Sequence, residues 1–79
     1  MFLNNQERSE AMQEYTNSEM AELINDHIHN VKHREILKDR LINGLTYEVL
    51  AEMYEMSVTQ IKRIVYKGQY KVFRHMNLF

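Results

Sequence analysis

Cysteine and proline are both absent from this chain of 79 residues, and glycine occurs only at positions 44 and 68. Without cysteine, the chain can form neither a disulfide framework nor a thiolate metal site. With so few helix-breaking residues, the sequence predicts one small, nearly all-helical domain. No apolar run approaches the roughly 20 residues of a membrane span. Residues 1–10 also lack the pattern of a signal peptide, so we expect a cytoplasmic protein without a membrane partner.

The formal net charge of −1 conceals an uneven distribution of charge along the chain. Residues 1–30 contain six acidic residues and one arginine, a formal charge of −5. Residues 31–79 contain nine Lys and Arg against five acidic residues, a formal charge of +4. From Ser57 to Phe79 there are five Lys and Arg and no acidic residue. Charge runs are usually solvated surface, but the lack of any counter-charge here favours a surface that faces a polyanion.

Capping residues predict where the helices begin. Residues 1–16 are polar and are expected to form a short helix or a loosely ordered segment, and residues 17–79 the helical domain. Thr16–Glu19 and Ser57–Gln60 read as capping boxes, and Asn30 and Thr46 as further N-caps. Gly44 is expected to end a helix in the left-handed conformation, which glycine adopts at little cost. After Ser57 the apolar spacing predicts a long last helix.

Residues 46–65 have the spacing of a helix-turn-helix, in which a second helix packs across a first. Ala51 is the small residue that lets the two helices cross closely. The apolar positions around it are Leu50, Tyr54, Met56, Ile61 and Ile64. Glu55 occupies the turn position that usually holds a glycine with positive φ, at a cost on the order of 1 kcal/mol relative to glycine.

The second helix of this motif supplies the candidate contacts with duplex DNA, because the N-terminal part of a recognition helix lies deepest in the major groove. We expect Thr59, Gln60 and Arg63 to reach base edges, since Gln can pair with adenine and Arg with guanine. Other side chains are better suited to the phosphate backbone, which positions a protein without specifying sequence. These candidate phosphate contacts are Thr46, Tyr47, Ser57, Lys62, Lys67 and Lys71.

The stretch from Arg34 to about Met76 resembles region 4, the promoter-reading module of sigma-70-type RNA polymerase sigma factors. The matching features are a helix that ends in glycine followed by Leu-Thr-Tyr-Glu, then Leu-Ala-Glu, then a Ser-capped helix with Ile-Lys-Arg-Ile. The resemblance implies a tri-helical core, preceded here by an extra N-terminal helix. It also implies that the second motif helix enters the major groove at the −35 promoter element. There Thr59, Gln60 and Arg63 would read bases, with Lys62 and Lys67 near the backbone.

The chain has no room for the module that melts the −10 element. The resemblance is therefore to this module standing alone, as in small phage-encoded regulators. The role of the acidic segment before Asn30 is left open between a packing helix, a dimer surface and a contact with polymerase, so RNA polymerase and a homodimer both remain open as partners.

Two further groups of residues have simpler interpretations. His27, His29 and His33 could bind zinc or nickel, but a site normally needs a fourth ligand, and Asn30 is expected to interrupt the helix between them. We therefore expect a solvated loop without a metal, in which a histidine could lie near a phosphate. We expect most methionines, and Tyr54, Tyr70 and Phe73, to lie in the core rather than on a binding surface. These methionines are Met12, Met20, Met53, Met56 and Met76.

An enzyme is not expected, and no cofactor is predicted, because the chain has no glycine-rich phosphate loop and no nucleophile with an adjacent base. The competing hypothesis is a protein-interaction module that binds RNA polymerase or another regulator without direct DNA readout. Binding that is insensitive to salt would favour that alternative, because phosphate contacts weaken steeply as salt rises.

Overall fold

The structure is a computed structural model that describes Asn4, Gln6, Glu7 and residues 14–76. Within residues 14–76 the chain forms four helices and no strand, which confirms the all-helical prediction for this part of the chain. The helices are α1 (Asn17–His27), α2 (Val31–Leu41), α3 (Tyr47–Met53) and α4 (Val58–His75). No helix among the described residues is long and apolar enough to span a bilayer. Most of the polar segment predicted for residues 1–16 lies outside the described residues, as does Met12.

Each helix begins at a predicted cap. Thr16 Oγ1 accepts a hydrogen bond from the backbone of Glu19 at 3.1 Å, and the Glu19 carboxylate accepts one from the backbone of Thr16 at 3.0 Å. Asn30 Oδ1 accepts a hydrogen bond from the backbone of His33 at 3.1 Å. This cap starts α2 at Val31, so that the link from α1 is three residues long. Such caps satisfy backbone N–H groups that have no partner within the helix, and each contributes about 1 kcal/mol.

The link between α2 and α3 contains the predicted left-handed glycine. Gly44 has φ 68°, and the backbone N–H of Leu45 donates to the carbonyl of Asp39 at 3.1 Å. This hydrogen bond turns the chain back after α2, which ends at Leu41 with Ile42 as its C-cap.

One apolar core joins the four helices, and α4 packs against each of the other three. The least exposed large side chains come from all four helices: Ile24, Ile36, Leu37, Leu50, Ile61, Val65 and Val72. At Gly68 the approach of α4 to α2 is very close. A Cβ placed there would lie 2.8 Å from Cδ2 of Leu37.

The prediction that Tyr70 and Met53 lie in the core is wrong, and Val31, which was expected to belong to the apolar stripe of α2, is exposed. Tyr70 is 56% exposed and Met53 is 54% exposed, although Phe73, Met20 and Met76 are buried as expected. Tyr70 precedes the buried Val72 by two residues, about 200° around the helix, so it faces away from the core. Met53 lies at the end of a seven-residue helix whose buried residue is Leu50. Val31 is the first residue of α2 and is 65% exposed, because it precedes the part of that helix that packs against the core.

Candidate nucleic-acid interface

The start of α4 is fixed by the predicted capping box. Ser57 Oγ accepts a hydrogen bond from the backbone of Gln60 at 3.1 Å, and Gln60 Oε1 accepts one from the backbone of Ser57 at 3.0 Å. The amide oxygen of Gln60 is therefore already used by the cap. A bidentate pair between Gln60 and adenine would have to share this oxygen or break the capping box, so the geometry favours Thr59 and Arg63 over Gln60 as base-reading residues.

The solvent-facing side of α4 carries all five cations of the helix. Lys62, Arg63, Lys67, Lys71 and Arg74 are all exposed. Within the part of the chain that the structure describes, the one ion pair joins Lys38 to Glu35 at 3.6 Å, and both of these residues lie on α2. None of the α4 cations is therefore neutralised by a carboxylate of the described chain. A helix surface of this kind attracts a polyanion.

Tyr47 lies where α2, α3 and α4 meet. Its half-buried ring has the guanidinium carbon of Arg40 4.2 Å from its centroid and Nζ of Lys62 5.6 Å from it. The ring of Tyr66 meets it edge to face with centroids 6.2 Å apart. Arg40 also donates from Nη1 to the carbonyl of Leu45 at 2.9 Å. Two cations on one aromatic ring hold Tyr47 in place and bring positive charge to the start of α3.

Arg40 was not among the residues predicted for the interface. It lies seven residues before Tyr47, on the far side of the turn at Gly44. A basic residue in the last turn of a helix is common because of the helix dipole alone. The sequence therefore gives no reason to assign Arg40 to the interface. The fold brings it to Tyr47, because the hydrogen bond to Leu45 holds its guanidinium over the turn.

The hydroxyl of Thr46 is occupied by the cap of α3. It accepts a hydrogen bond from the backbone of Val49 at 3.2 Å, and the residue is exposed. Thr46 and Ser57 are thus the N-caps of α3 and α4. Both residues remain exposed, Thr46 beside Tyr47 and Ser57 at the start of α4, where contacts with the DNA backbone were predicted.

The link from α3 to α4 contains one residue in the left-handed conformation. Glu55 has φ 54°, the positive value predicted for its position. The backbone N–H of Met56 donates to the carbonyl of Ala51 at 2.9 Å, which ties the turn to α3. Tyr54 anchors the same turn to α2, since its hydroxyl donates to Oδ2 of Asp39 at 2.6 Å. Burial, and then this hydrogen bond with Asp39, raise the pKa of Tyr54 to about 12.

A cleft opens between α4 and the segment where the chain passes from α1 to α2. Its volume is about 300 Å³. Its lining residues are Ile28, His33, Arg63, Ile64, Lys67, Gly68 and Lys71. We call it the α2–α4 cleft. It unites three of the predicted DNA-contacting side chains with His33, which the sequence analysis assigned to a solvated loop and which lies in the first turn of α2. A second, shallower depression of about 520 Å³ is lined by Tyr66, Lys67, Tyr70 and Lys71.

The three histidines that were considered as metal ligands are separated by the fold. His27 ends α1, His29 lies in the link, and His33 is in the first turn of α2. The ring of His27 instead stacks on that of His75 with centroids 3.6 Å apart and planes inclined by 6°. Among the residues described here, no three His, Asp or Glu side chains are grouped so that they could hold a metal ion.

Comparison of the chain with protein-family models, with curated proteins and with solved structures gave no match.

Proposed function

We propose that this protein binds duplex DNA at specific sequences and acts in transcription control, as a small sigma region 4-like regulator of phage or bacterial type working in the cytoplasm. In this proposal α3, the turn at Glu55 and α4 form the helix-turn-helix. Helix α2 completes a tri-helical core, and α1 is the additional N-terminal helix. The single observation that carries the proposal is the exposed face of α4, with five cations and no carboxylate partner in the described chain.

The side chains on α4 divide by position along the helix. Thr59 and Arg63 lie in its first two turns, the part that would enter the major groove, and Arg63 has the planar donor pair that matches guanine. Lys62, Lys67 and Lys71 are suited to phosphates, and Tyr47, held by Arg40 and Lys62, offers a hydroxyl at the start of α3. Three lysine–phosphate contacts predict that log K falls with log salt concentration with a slope of about −3.

Selection from a random pool of duplex DNA, followed by affinity measurements across a salt series, tests the proposal. We expect an enriched site and a steep salt slope. Substituting Arg63 by Ala should reduce discrimination at one base pair by about 1–3 kcal/mol. Lys67→Ala should instead lower the affinity for every DNA sequence by a similar factor and reduce the salt slope by about 1. Lys32→Ala removes one exposed cation from α2 and is the matched control. An enriched palindrome would add a homodimer as the binding species.

A protein-interaction module remains the second candidate because of one observation on α3. Val49 and Met53 are 41% and 54% exposed and lie one turn apart. Exposed apolar residues at this spacing are suited to contact a partner helix, and RNA polymerase is the first partner to test. Failure to retain duplex DNA at low salt, combined with salt-insensitive binding to polymerase, would replace the DNA proposal by this one.

A further inference from the structure

The α2–α4 cleft has cations along one wall. Arg63, Lys67 and Lys71 follow one another at intervals of four residues on α4, so they lie on the same side of the helix about 6 Å apart along its axis. All three line the cleft, and no acidic residue of the described segments does. Like charges at this spacing repel one another. A bound anion with several negative oxygens would relieve this repulsion and accept charge-assisted hydrogen bonds from more than one of them.

His33 faces these cations from the opposite wall. Its backbone N–H is already bonded to Asn30 Oδ1 at 3.1 Å, so only its imidazole is available to a ligand in the cleft. The wall on which it lies is fixed by Arg34, whose side chain donates to the carbonyls of Ile28 at 2.6 Å and His29 at 3.3 Å. His33 therefore adds to the lining of the cleft an imidazole whose N–H can serve as a fourth hydrogen-bond donor.

The remaining residues that line the cleft are uncharged. They are Ile28, Ile64 and Gly68. An apolar lining reduces the local screening by water and so strengthens the attraction between the cations and an anion. A volume of about 300 Å³ lies at the lower end of the range for small-molecule sites, which suits a phosphate or pyrophosphate group rather than a large ligand.

We propose that the α2–α4 cleft is a phosphate-binding site in which His33 on α2 acts together with Arg63, Lys67 and Lys71 on α4. The phosphate belongs either to a free phosphorylated ligand or to the backbone of bound DNA. The second source rests on the proposed function, with His33, Lys67 and Lys71 holding the backbone phosphate while Arg63 reads a base; the first does not rest on it.

Titration of the ¹⁵N-labelled protein with inorganic pyrophosphate at constant ionic strength tests the site itself. We expect saturable shifts of the backbone signals of His33, Ile64 and Gly68. Replacing His33 or Lys67 by Gln removes one hydrogen bond to a charged group and should weaken binding by about tenfold. Lys67→Arg should retain most of the affinity. Lys32→Gln removes an exposed charge that does not line the cleft, and it should change the affinity by less than about twofold.

Two results would contradict the proposal that the cleft is a phosphate-binding site. The first is a set of shifts that grow linearly without saturation. The second is a loss of affinity in Lys32→Gln as large as that in His33→Gln, which would indicate attraction to net charge alone. Circular dichroism of each variant establishes that it remains folded. If the Gln variants prove unstable, the saturation of the wild-type shifts decides the question by itself.

The source of the phosphate is decided with duplex DNA from the selected pool. If His33→Gln weakens duplex binding and pyrophosphate displaces the duplex, the cleft holds a backbone phosphate. Unchanged duplex affinity in His33→Gln, with pyrophosphate still bound by the wild type, assigns the cleft to a free phosphorylated ligand. Saturable pyrophosphate binding without any duplex binding would refute the proposed function and leave the site in place.

Discussion

The close approach of α2 and α4 at Gly68 gives a sharp test of the packing, because adding one methyl group there has two opposing effects. Alanine is favoured over glycine in a helix interior by about 1 kcal/mol. The new Cβ would, however, lie 2.8 Å from Cδ2 and 3.1 Å from Cδ1 of Leu37. Leu37 is 1% exposed, so its neighbours restrict its movement. Overpacking of this kind costs about 1–3 kcal/mol, and we expect Gly68→Ala to lower the free energy of unfolding by about 1 kcal/mol.

The sign of this effect should reverse when Leu37 is shortened. Valine lacks both Cδ atoms, and the next nearest atom to the new Cβ is Leu37 Cγ at 3.5 Å, an ordinary contact distance. In a Leu37→Val background, Gly68→Ala should therefore stabilise the protein by about 1 kcal/mol, giving a coupling of about 2 kcal/mol between the two sites.

Urea unfolding of the four proteins, followed by circular dichroism at 222 nm, measures this coupling. A constant m-value would show that all four unfold between comparable states. If Gly68→Ala changes stability by the same amount in both backgrounds, the helices do not approach each other at this point as described, and the reasoning is refuted.

Three further predictions concern the turn and the start of α4. Glu55→Gly should raise the free energy of unfolding by about 1 kcal/mol, because glycine adopts the φ of 54° without strain; an unchanged urea midpoint would contradict this. Tyr54→Phe removes the hydroxyl bonded to Asp39. Since the pKa of Tyr54 is raised to about 12, the folded protein retains a proton that the unfolded chain loses above about pH 10. The stabilising contribution of this tyrosine is therefore complete below pH 10 and is lost as pH rises toward 12. The difference in urea stability between the wild type and Tyr54→Phe should shrink over that interval, and a difference that grows would contradict the assigned hydrogen bond. Ser57→Ala should lower stability by about 1 kcal/mol through loss of the cap, as thermal unfolding can measure; an unchanged Tm would contradict the role of Ser57 as the cap of α4.

The positions where helices begin were predicted from the sequence because caps are local. Thr16, Asn30, Thr46 and Ser57 each bond a backbone N–H three residues later, so the interaction is complete within one turn. The positive φ of Gly44 was likewise predicted from the sequence around the end of α2, whereas that of Glu55 was expected only from the helix-turn-helix interpretation. Such features depend on little beyond the few residues that form them.

The surface was less predictable, because helical periodicity gives the direction of a side chain but not what covers it. Tyr70 lies on the opposite side of α4 from the buried Val72, and the placement of the neighbouring helices decides which side of α4 and of α3 is covered, so Tyr70 and Met53 remain exposed. The prediction that α4 contacts DNA, and that Thr59, Gln60 and Arg63 read bases, remains a prediction for the experiments above.

Composition and local pattern by themselves determined an all-helical chain, its helix starts and the concentration of positive charge after Ser57. The tertiary structure alone decided which distant side chains act together. It placed Arg40 over Tyr47 and joined His33 to Arg63, Lys67 and Lys71 across one cleft. The physical reason is that each pairing depends on how whole helices are placed. The first depends on α2 and the turn that leads to α3, where Arg40 bonds the carbonyl of Leu45. The second depends on how α2 and α4 pack around the shared core of Leu37, Val65 and their neighbours.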